Sequence, residues 1–335
     1  MMNTKNKEIW VFIECFKNGH PKNVGLELLN EANQISKNKN ISVVAIVFGY
    51  NIDKTLNIAL HSKAEKVIYI KSKKLENYET LTYVNNFYNL ITKYNPDSIL
   101  IGATSNGRDM APRLSCRLNT GLTADCIKFE FDENNENILW TRPTFGGNLM
   151  ATIICPDKRP QMGTIRPGVF KKPILDKTLN GKIIEEHFIN TNNEIKLIEE
   201  FLDTENEDIN LEEAEIIVTA GLGAKNEQGI KLVSDLACAL KGTLGASRAA
   251  VDANLISRIH QVGQTGKTVA PKIYIACGVS GAIQHMVGMK TSDKIIAINN
   301  DEDAPIFSIA DYKIVGDLFE IIPLLIEEIK TKKTL

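Results

Sequence analysis

Unbroken apolar runs alternate with stretches of helical spacing through the first third of the chain. Glu8–Glu14 (EIWVFIE) and Ile41–Phe48 (ISVVAIVF) read as buried strands, the second closed by Gly49. Between them Leu26, Leu29, Ala32 and Ile35 recur at near-helical spacing, which predicts a helix over Gly25–Lys37. Val67–Ile70 reads as a short strand, Tyr78–Lys93 as a helix and Ser98–Gly102 (SILIG) as a strand. Strands that alternate with helices imply a parallel sheet covered on both faces.

The pattern changes after Gly121. Ile127–Phe131, Ile138–Arg142, Leu149–Cys155 and Gln161–Arg166 read as successive strands with turns between them, an antiparallel or mixed region that ends at Arg166-Pro167-Gly168. Ile195–Asp208 is acidic and low in apolar residues towards its end, and Thr204–Leu211 is expected to be an interdomain linker. Beyond it α/β alternation returns. Ala214–Ala220 is a strand that turns at Gly221-Leu222-Gly223. Glu227–Leu240 is an amphipathic helix stopped by Gly242. Strands are expected at Lys272–Cys277, Lys294–Asn299 and Tyr312–Val315, and helices at Ser280–Val287 and Asp317–Lys330. The fold class is therefore two α/β domains: an N-terminal mixed or parallel sheet domain over 1–203, and a C-terminal Rossmann-like domain over 212–335.

Bulk properties narrow the function classes. At 335 residues, two domains are the natural division. A net charge of −2 gives no reason to expect nucleic acid or an anionic membrane as partner. Cysteines 15, 116, 126, 155, 238 and 277 form neither a Cys-x-x-Cys pair nor a metal-ligand spacing. The N-terminus lacks a signal-type apolar stretch, and no run approaches a membrane span. The expectation is a cytoplasmic protein without a metal site.

The candidate chemistry lies in the second half. Gly263-Gln-Thr-Gly266-Lys267-Thr268 resembles a triphosphate loop, but that loop needs four residues between its glycines and must open a helix. Here two intervene, and Pro271 blocks a helix. A glycine loop able to approach a ligand remains. Lys272–Cys277, Gly278-Val-Ser280-Gly281 and the helix after them read as a strand–turn–helix phosphate site with Ser280 as its cap. In open α/β sheets ligands bind beyond the carboxyl ends of the strands. The ends at Gly221-Leu-Gly223, Gly278 and Asn299 would share one edge, a dinucleotide arrangement. Arg248 could pair a phosphate or cover a flat ring there, and His285, one turn into the helix, could reach the same ligand.

In order along the chain come Ser247-Arg248-Ala-Ala-Val251-Asp252, Gln261-Val-Gly-Gln-Thr-Gly-Lys267, Ser280-Gly-Ala-Ile-Gln-His285, Ala297-Ile-Asn299, Ala304-Pro-Ile-Phe307 and Ala310-Asp-Tyr…Asp317-Leu-Phe319. Together these closely resemble the α subunit of electron transfer flavoprotein. The likeness runs through 214–330, and Gly102-Ala-Thr…Gly107-Arg-Asp109…Ala111-Pro-Arg113 with Thr120-Gly-Leu-Thr123 extends it into the first half.

The resemblance implies an electron carrier subunit, either on its own or as part of a bifurcating oxidoreductase complex. It would be a heterodimer with a β subunit, hold FAD in its second domain, and exchange electrons with a flavin-dependent dehydrogenase such as an acyl-CoA dehydrogenase. It assigns Ser247 and Arg248 to the flavin, with the guanidinium near the isoalloxazine. It runs Val262, Gly263, Gln264, Thr265 and Gly266 along the ring, with the Thr265 hydroxyl near N5. It gives Ser280, Gly281, Ala282, Ile283 and Gln284 to the pyrophosphate, the ribityl chain and the pyrimidine edge, and sets His285 near O2. Asn299, Asp317 and Leu318 match the adenosine side. Arg248, and a donor or cation at His285, would raise the flavin's first one-electron potential.

Some positions depart from the family. Leu222 stands where members commonly carry an arginine near the phosphates, a contact that Lys225 could replace. Ala253-Asn254-Leu255 stands where a Gly-aromatic pair is common, and Lys313 replaces a frequent glycine. The stretch Arg142-Pro-Thr-Phe-Gly-Gly-Asn-Leu-Met-Ala-Thr152, with Arg159-Pro-Gln-Met162 and Arg166-Pro-Gly168, resembles anaerobic bacterial members. Many of those carry a second FAD in the β subunit and bifurcate electrons. The alternatives are a non-bifurcating member with AMP in the β subunit, or a non-redox nucleotide-binding protein of similar topology.

Overall fold

The computed structural model describes residues 7–134, 137–144, 149–178, 181–190, 198 and 211–332. The chain divides into two compact units, Met1–Ile198 and Glu199–Leu335. Residues 204–210 of the expected linker lie outside the described residues. Leu211, its last residue, is fully buried with Ile217, Tyr274 and Ile306.

The strands of the first unit are β1 (Lys7–Ile13), β2 (Ile41–Gly49), β3 (Lys66–Lys71), β4 (Ser98–Gly102), β5 (Leu122–Cys126), β6 (Lys128–Phe131), β7 (Ile138–Thr144), β8 (Leu149–Ile153), β9 (Gln161–Ile165) and β10 (Lys182–Glu185). Seven form one sheet in the order β10-β3-β2-β1-β4-β9-β5, every pair parallel. The unbroken apolar runs of β1 and β2 are explained by burial on both faces. Ile9, Val11 and Ile13 enter one core, and Trp10 and Phe12 the other. Helices α1 (Asn23–Ser36), α2 (Asp53–His61), α3 (Thr80–Tyr94) and α4 (Ser105–Arg117) supply crossovers. Glu79 caps α3 by accepting from the Leu81 and Thr82 amides, and the Thr104 hydroxyl caps α4 by accepting from the Gly107 amide.

The region over 127–166, expected to be antiparallel or mixed, is mixed. β6, β7 and β8 form a separate antiparallel sheet. β9 instead lies parallel between β4 and β5. Its QMGTI sequence is buried at every position, as a central strand of a covered sheet must be.

The second unit holds β11 (Ile216–Ala220), α5 (Glu227–Ala239), β12 (Thr243–Ala246), α6 (Arg248–Asp252), β13 (Ile273–Cys277), α7 (Ile283–Met286), β14 (Lys294–Asn299), β15 (Tyr312–Val315) and α8 (Leu318–Lys332). Its sheet is wholly parallel in the order β12-β11-β13-β14-β15. Counted within the unit this is 2-1-3-4-5, a doubly wound order whose switch point lies between β11 and β13. Val218, Ala220 and Ile275 pack with α5 and α8, while Ile217, Tyr274 and Ala276 fill the opposite core. Asn254 adopts φ +57, a left-handed conformation that asparagine tolerates better than most residues. Among the described residues no helix is long and apolar enough to cross a membrane.

Candidate functional site

A cleft of about 780 Å³ opens over the carboxyl ends of β11, β12, β13 and β14, across the switch point. Of the expected site residues, Ser247, Arg248, Val262, Gly263, Gln264, Thr265, Ser280, Ala282, Gln284, His285 and Asn299 line it. Asp317 and Leu318 line a smaller cavity that shares Gly223, Lys225, Gly278 and Asn299 with the cleft. Gly266, Gly281 and Ile283 line neither. Asn300, Asp301 and Pro305 also reach the cleft and escaped the sequence reading. The signal for Asn300 and Asp301 was their place at the end of β14.

The walls are built by backbone ties. The Ser247 amide donates to the Ala220 carbonyl at 2.9 Å, and the Ser247 hydroxyl accepts from the Ala250 amide at 3.3 Å, capping α6. The Val262 amide donates to the Ala246 carbonyl at 2.9 Å, laying the glycine loop beside β12. His260 lies beneath this loop, its Nδ1 2.7 Å from the Leu244 carbonyl, so it is a structural tie. Within the loop the Lys267 amide donates to the Gln261 carbonyl at 2.7 Å and the Gly263 amide to the Lys267 carbonyl at 3.0 Å. Thr265 sits at the exposed tip. Its hydroxyl accepts from Gln261 Nε2 at 2.9 Å, which leaves the hydroxyl proton free to donate.

Ser280 does not cap a helix. α7 begins only at Ile283, with Ala282 at its N-cap and no side-chain cap. The Ile306 amide donates to the Ser280 carbonyl at 3.1 Å, and Gly281 turns at φ +92 with Ile306 nitrogen 2.1 Å from where a Cβ would stand. This connection holds Ser280 outside the helix. The neighbouring glycines likewise answer to the protein's own backbone. The Gly221 amide donates to the Cys277 carbonyl at 2.8 Å and the Gly223 amide to the Gly278 carbonyl at 3.0 Å. Asn299 spends its side chain on the same junction, donating to the Val279 carbonyl and accepting from the Asp301 amide, each at 3.0 Å. Asp317 accepts from the Phe319 amide at 2.9 Å and so caps α8.

The charges are sparse and mixed. Lys225 and Arg248 face Asp252 and Asp301 around the cleft. Arg248 Nε lies 3.2 Å from Asp252 on α6. His285 is buried, with Nε2 3.0 Å from the Tyr274 hydroxyl and Nδ1 without a hydrogen bond of ordinary geometry. Burial lowers its pKa to about 4, against the opposing effect of hydrogen bonding with the Val262 backbone. The ring is therefore neutral at neutral pH.

Two family models match the chain: the electron transfer flavoprotein domain over residues 9–188, and the electron transfer flavoprotein FAD-binding domain over residues 210–290. An electron transfer flavoprotein subunit alpha from Thermoanaerobacterium thermosaccharolyticum is 50% identical over 98% of this chain and 99% of its own. The subunit of the same name from Megasphaera elsdenii is 45% identical over 98% and 97%. The acryloyl-CoA reductase electron transfer subunit beta of Anaerotignum propionicum is 41% identical over 98% and 96%.

The chain belongs to the electron transfer flavoprotein family, as an α subunit.

Its second unit is the flavin-binding part of such a subunit, and its work is electron transfer. The cleft suits a flavin on its own terms. Val262, Val279, Ala282 and Ala304 give it an apolar lining that suits a flat ring, and Lys225 and Arg248 add positive charge to its wall. His285 Nδ1 is a polar atom of the lining that makes no hydrogen bond of ordinary geometry with the protein.

Proposed function

We propose that this α subunit holds FAD in the cleft at the β11/β13 switch point and, with an electron transfer flavoprotein β subunit, carries electrons between a flavin-containing dehydrogenase and other redox partners. The observation that carries the FAD assignment is the convergence of Ser247, Arg248, Thr265, Gln284 and His285, from separate elements, on one cleft of about 780 Å³. When bound, the flavin supplies the electron-transfer chemistry. The chain's residues orient it and tune it. Thr265 offers a hydroxyl proton and Arg248 a cation. Neutral His285 offers a fixed dipole in a dry wall, where such a dipole acts more strongly than in water. Lys225 and the shared walls near Asp317 serve the phosphate and adenosine side.

A CoA-ester oxidoreductase is the proposed dehydrogenase partner. The Anaerotignum relative, named as an electron transfer subunit of acryloyl-CoA reductase, supports that class. Bifurcation, with a second FAD in the β subunit, is the proposed subtype. It is supported by the resemblance of Arg142–Thr152 to anaerobic members, although residues 145–148 of that stretch lie outside the described residues. The cytoplasm is the proposed compartment, supported by six free cysteines.

The test is to co-purify the chain with its β subunit and count nucleotides per heterodimer. Two FAD molecules support the full reading. One FAD and one AMP keep electron transfer but reject bifurcation. A colourless complex that takes up no FAD rejects the cofactor assignment.

A further inference from the structure

We propose that Tyr274 is a positioning residue for His285: its phenol donates to Nε2, fixes the single ring proton on Nδ1, and holds the imidazole against the cleft wall. Tyr274 lies on β13 and is fully buried. Its hydroxyl stands 3.0 Å from His285 Nε2, with the two rings edge-on at 6.2 Å between centroids. Which of the two groups donates follows from the other partners available.

Burial raises the phenol's pKa far above neutrality, so the hydroxyl keeps its proton. A buried phenol proton needs an acceptor. The other polar side chain beside it is Thr219 on β11; its hydroxyl makes no hydrogen bond of ordinary geometry, and it lowers the phenol's pKa, the effect of a donor towards the phenol oxygen and not of an acceptor of its proton. The acceptor is therefore Nε2. A neutral imidazole carries one proton, and with Nε2 accepting, that proton is on Nδ1. Nδ1 makes no hydrogen bond of ordinary geometry, and the Val262 backbone, which raises the ring's pKa, acts on the ring as an acceptor.

The arrangement replaces a ring free to exchange tautomers with one of fixed polarity. A phenylalanine at 274 would fill the same space and leave Nε2 without its donor. His285 would then take its proton on either nitrogen. For the bound cofactor, which rests on the flavin reading above, the consequence is a defined dipole at the wall instead of an averaged one.

The experiment uses the full-length chain labelled with nitrogen-15 histidine and freed of cofactor. The His285 signals are assigned by their loss in His285→Gln. Long-range proton–nitrogen correlation at neutral pH is expected to show Nδ1 protonated and Nε2 bare. Tyr274→Phe is expected to shift the ring towards Nε2 protonation or a mixture. A wild-type ring protonated on Nε2 overturns the proposal whether or not the variant folds, and so does an unchanged pattern in a folded Tyr274→Phe. FAD titration of the same samples separates the two readings. A wild-type chain with the expected tautomer that binds no FAD removes the flavin assignment and leaves the Tyr274 role standing. Where FAD binds, Tyr274→Phe is expected to weaken it about tenfold.

Discussion

The Gln264 amide donates to the Gln284 carbonyl at 2.8 Å, and this bond clamps the loop bearing Thr265 to the helix bearing His285. Gly263, just before it, turns at φ +138, and a Cβ there would stand 3.0 Å from that same carbonyl oxygen. Gly263→Ala is therefore expected to cost about 1–3 kcal/mol in backbone strain. It should also spread the loop away from α7, with flavin retained at least tenfold less tightly. Gel filtration followed by absorbance, with a thermal melt, checks both. Wild-type retention and melting together would show that the clamp is dispensable.

Arg248 separates stability from tuning. Its ion pair with Asp252 is between side chains 66% and 64% exposed, so it adds little to folding. Arg248→Ala should unfold as the wild type does but lower the flavin's first one-electron potential. Asp252→Asn should raise that potential, because it removes the opposing charge from the same wall. A change of about 60 mV corresponds to a tenfold shift in the one-electron equilibrium. Spectroelectrochemistry of both variants reads the signs. Shifts of equal sign would exclude an electrostatic origin.

What the sequence made legible was whatever its own periodicity encodes. β1, β2 and β13 announce themselves because both faces are buried, and α5 because one face is. α4 escaped because SNGRDMAPRLSCR is polar and carries Pro112, and β12 because TLGA offers no apolar run. β9 was legible as a strand, but its place in the sheet was not. Its partners β4 and β5 lie far back in the chain, and periodicity says nothing about partners. At the site, the motifs named many of the residues that line the cleft, but not Asn300, Asp301 or Pro305. They could not show that Ser280 is tied to Ile306 instead of capping α7, or that burial keeps His285 neutral. Both are properties of the surroundings.

His285 should make the flavin-free protein sensitive to acid. An unfolded histidine takes up a proton below its ordinary pKa of 6.5, whereas the folded ring does so only below about 4. The unfolded state thus binds more protons between those limits, and stability falls as pH drops from 6.5 towards 4. The full loss is roughly 3 kcal/mol, of which about 2 kcal/mol has gone by pH 5. Above 6.5 neither state is charged there and the effect vanishes. His285→Gln should lack this part of the pH profile in urea unfolding. Carboxylates held below their usual range by hydrogen bonds, such as Asp109 and Glu186, also lose stability in acid. They do so in both proteins and cancel in the difference. Parallel profiles for the two would mean that the ring is charged when folded.

Lys225 carries the clearest sign of strain on the cleft wall. It sits at φ +63 and ψ −41, and the Asn226 amide donates to the Ala224 carbonyl at 2.7 Å around it. This is a γ-turn of the rare positive-φ kind, a conformation that costs on the order of 1–3 kcal/mol in a residue other than glycine. The turn does two things at once. It sets Asn226 to cap α5, where its side chain accepts from the Gly229 amide at 3.1 Å. It also puts a lysine on the wall shared by both cavities, with its ammonium 5.6 Å from the Phe319 ring. Leu222 lines the same wall and brings no charge. Two variants separate strain from charge. Lys225→Gly should relieve the backbone and stabilise the chain by about 1 kcal/mol, while weakening flavin binding several-fold. Lys225→Ala should weaken binding equally without the gain in stability. Undiminished binding in both would assign the strained turn to the α5 cap alone, and would leave Arg248 as the cation of the cleft.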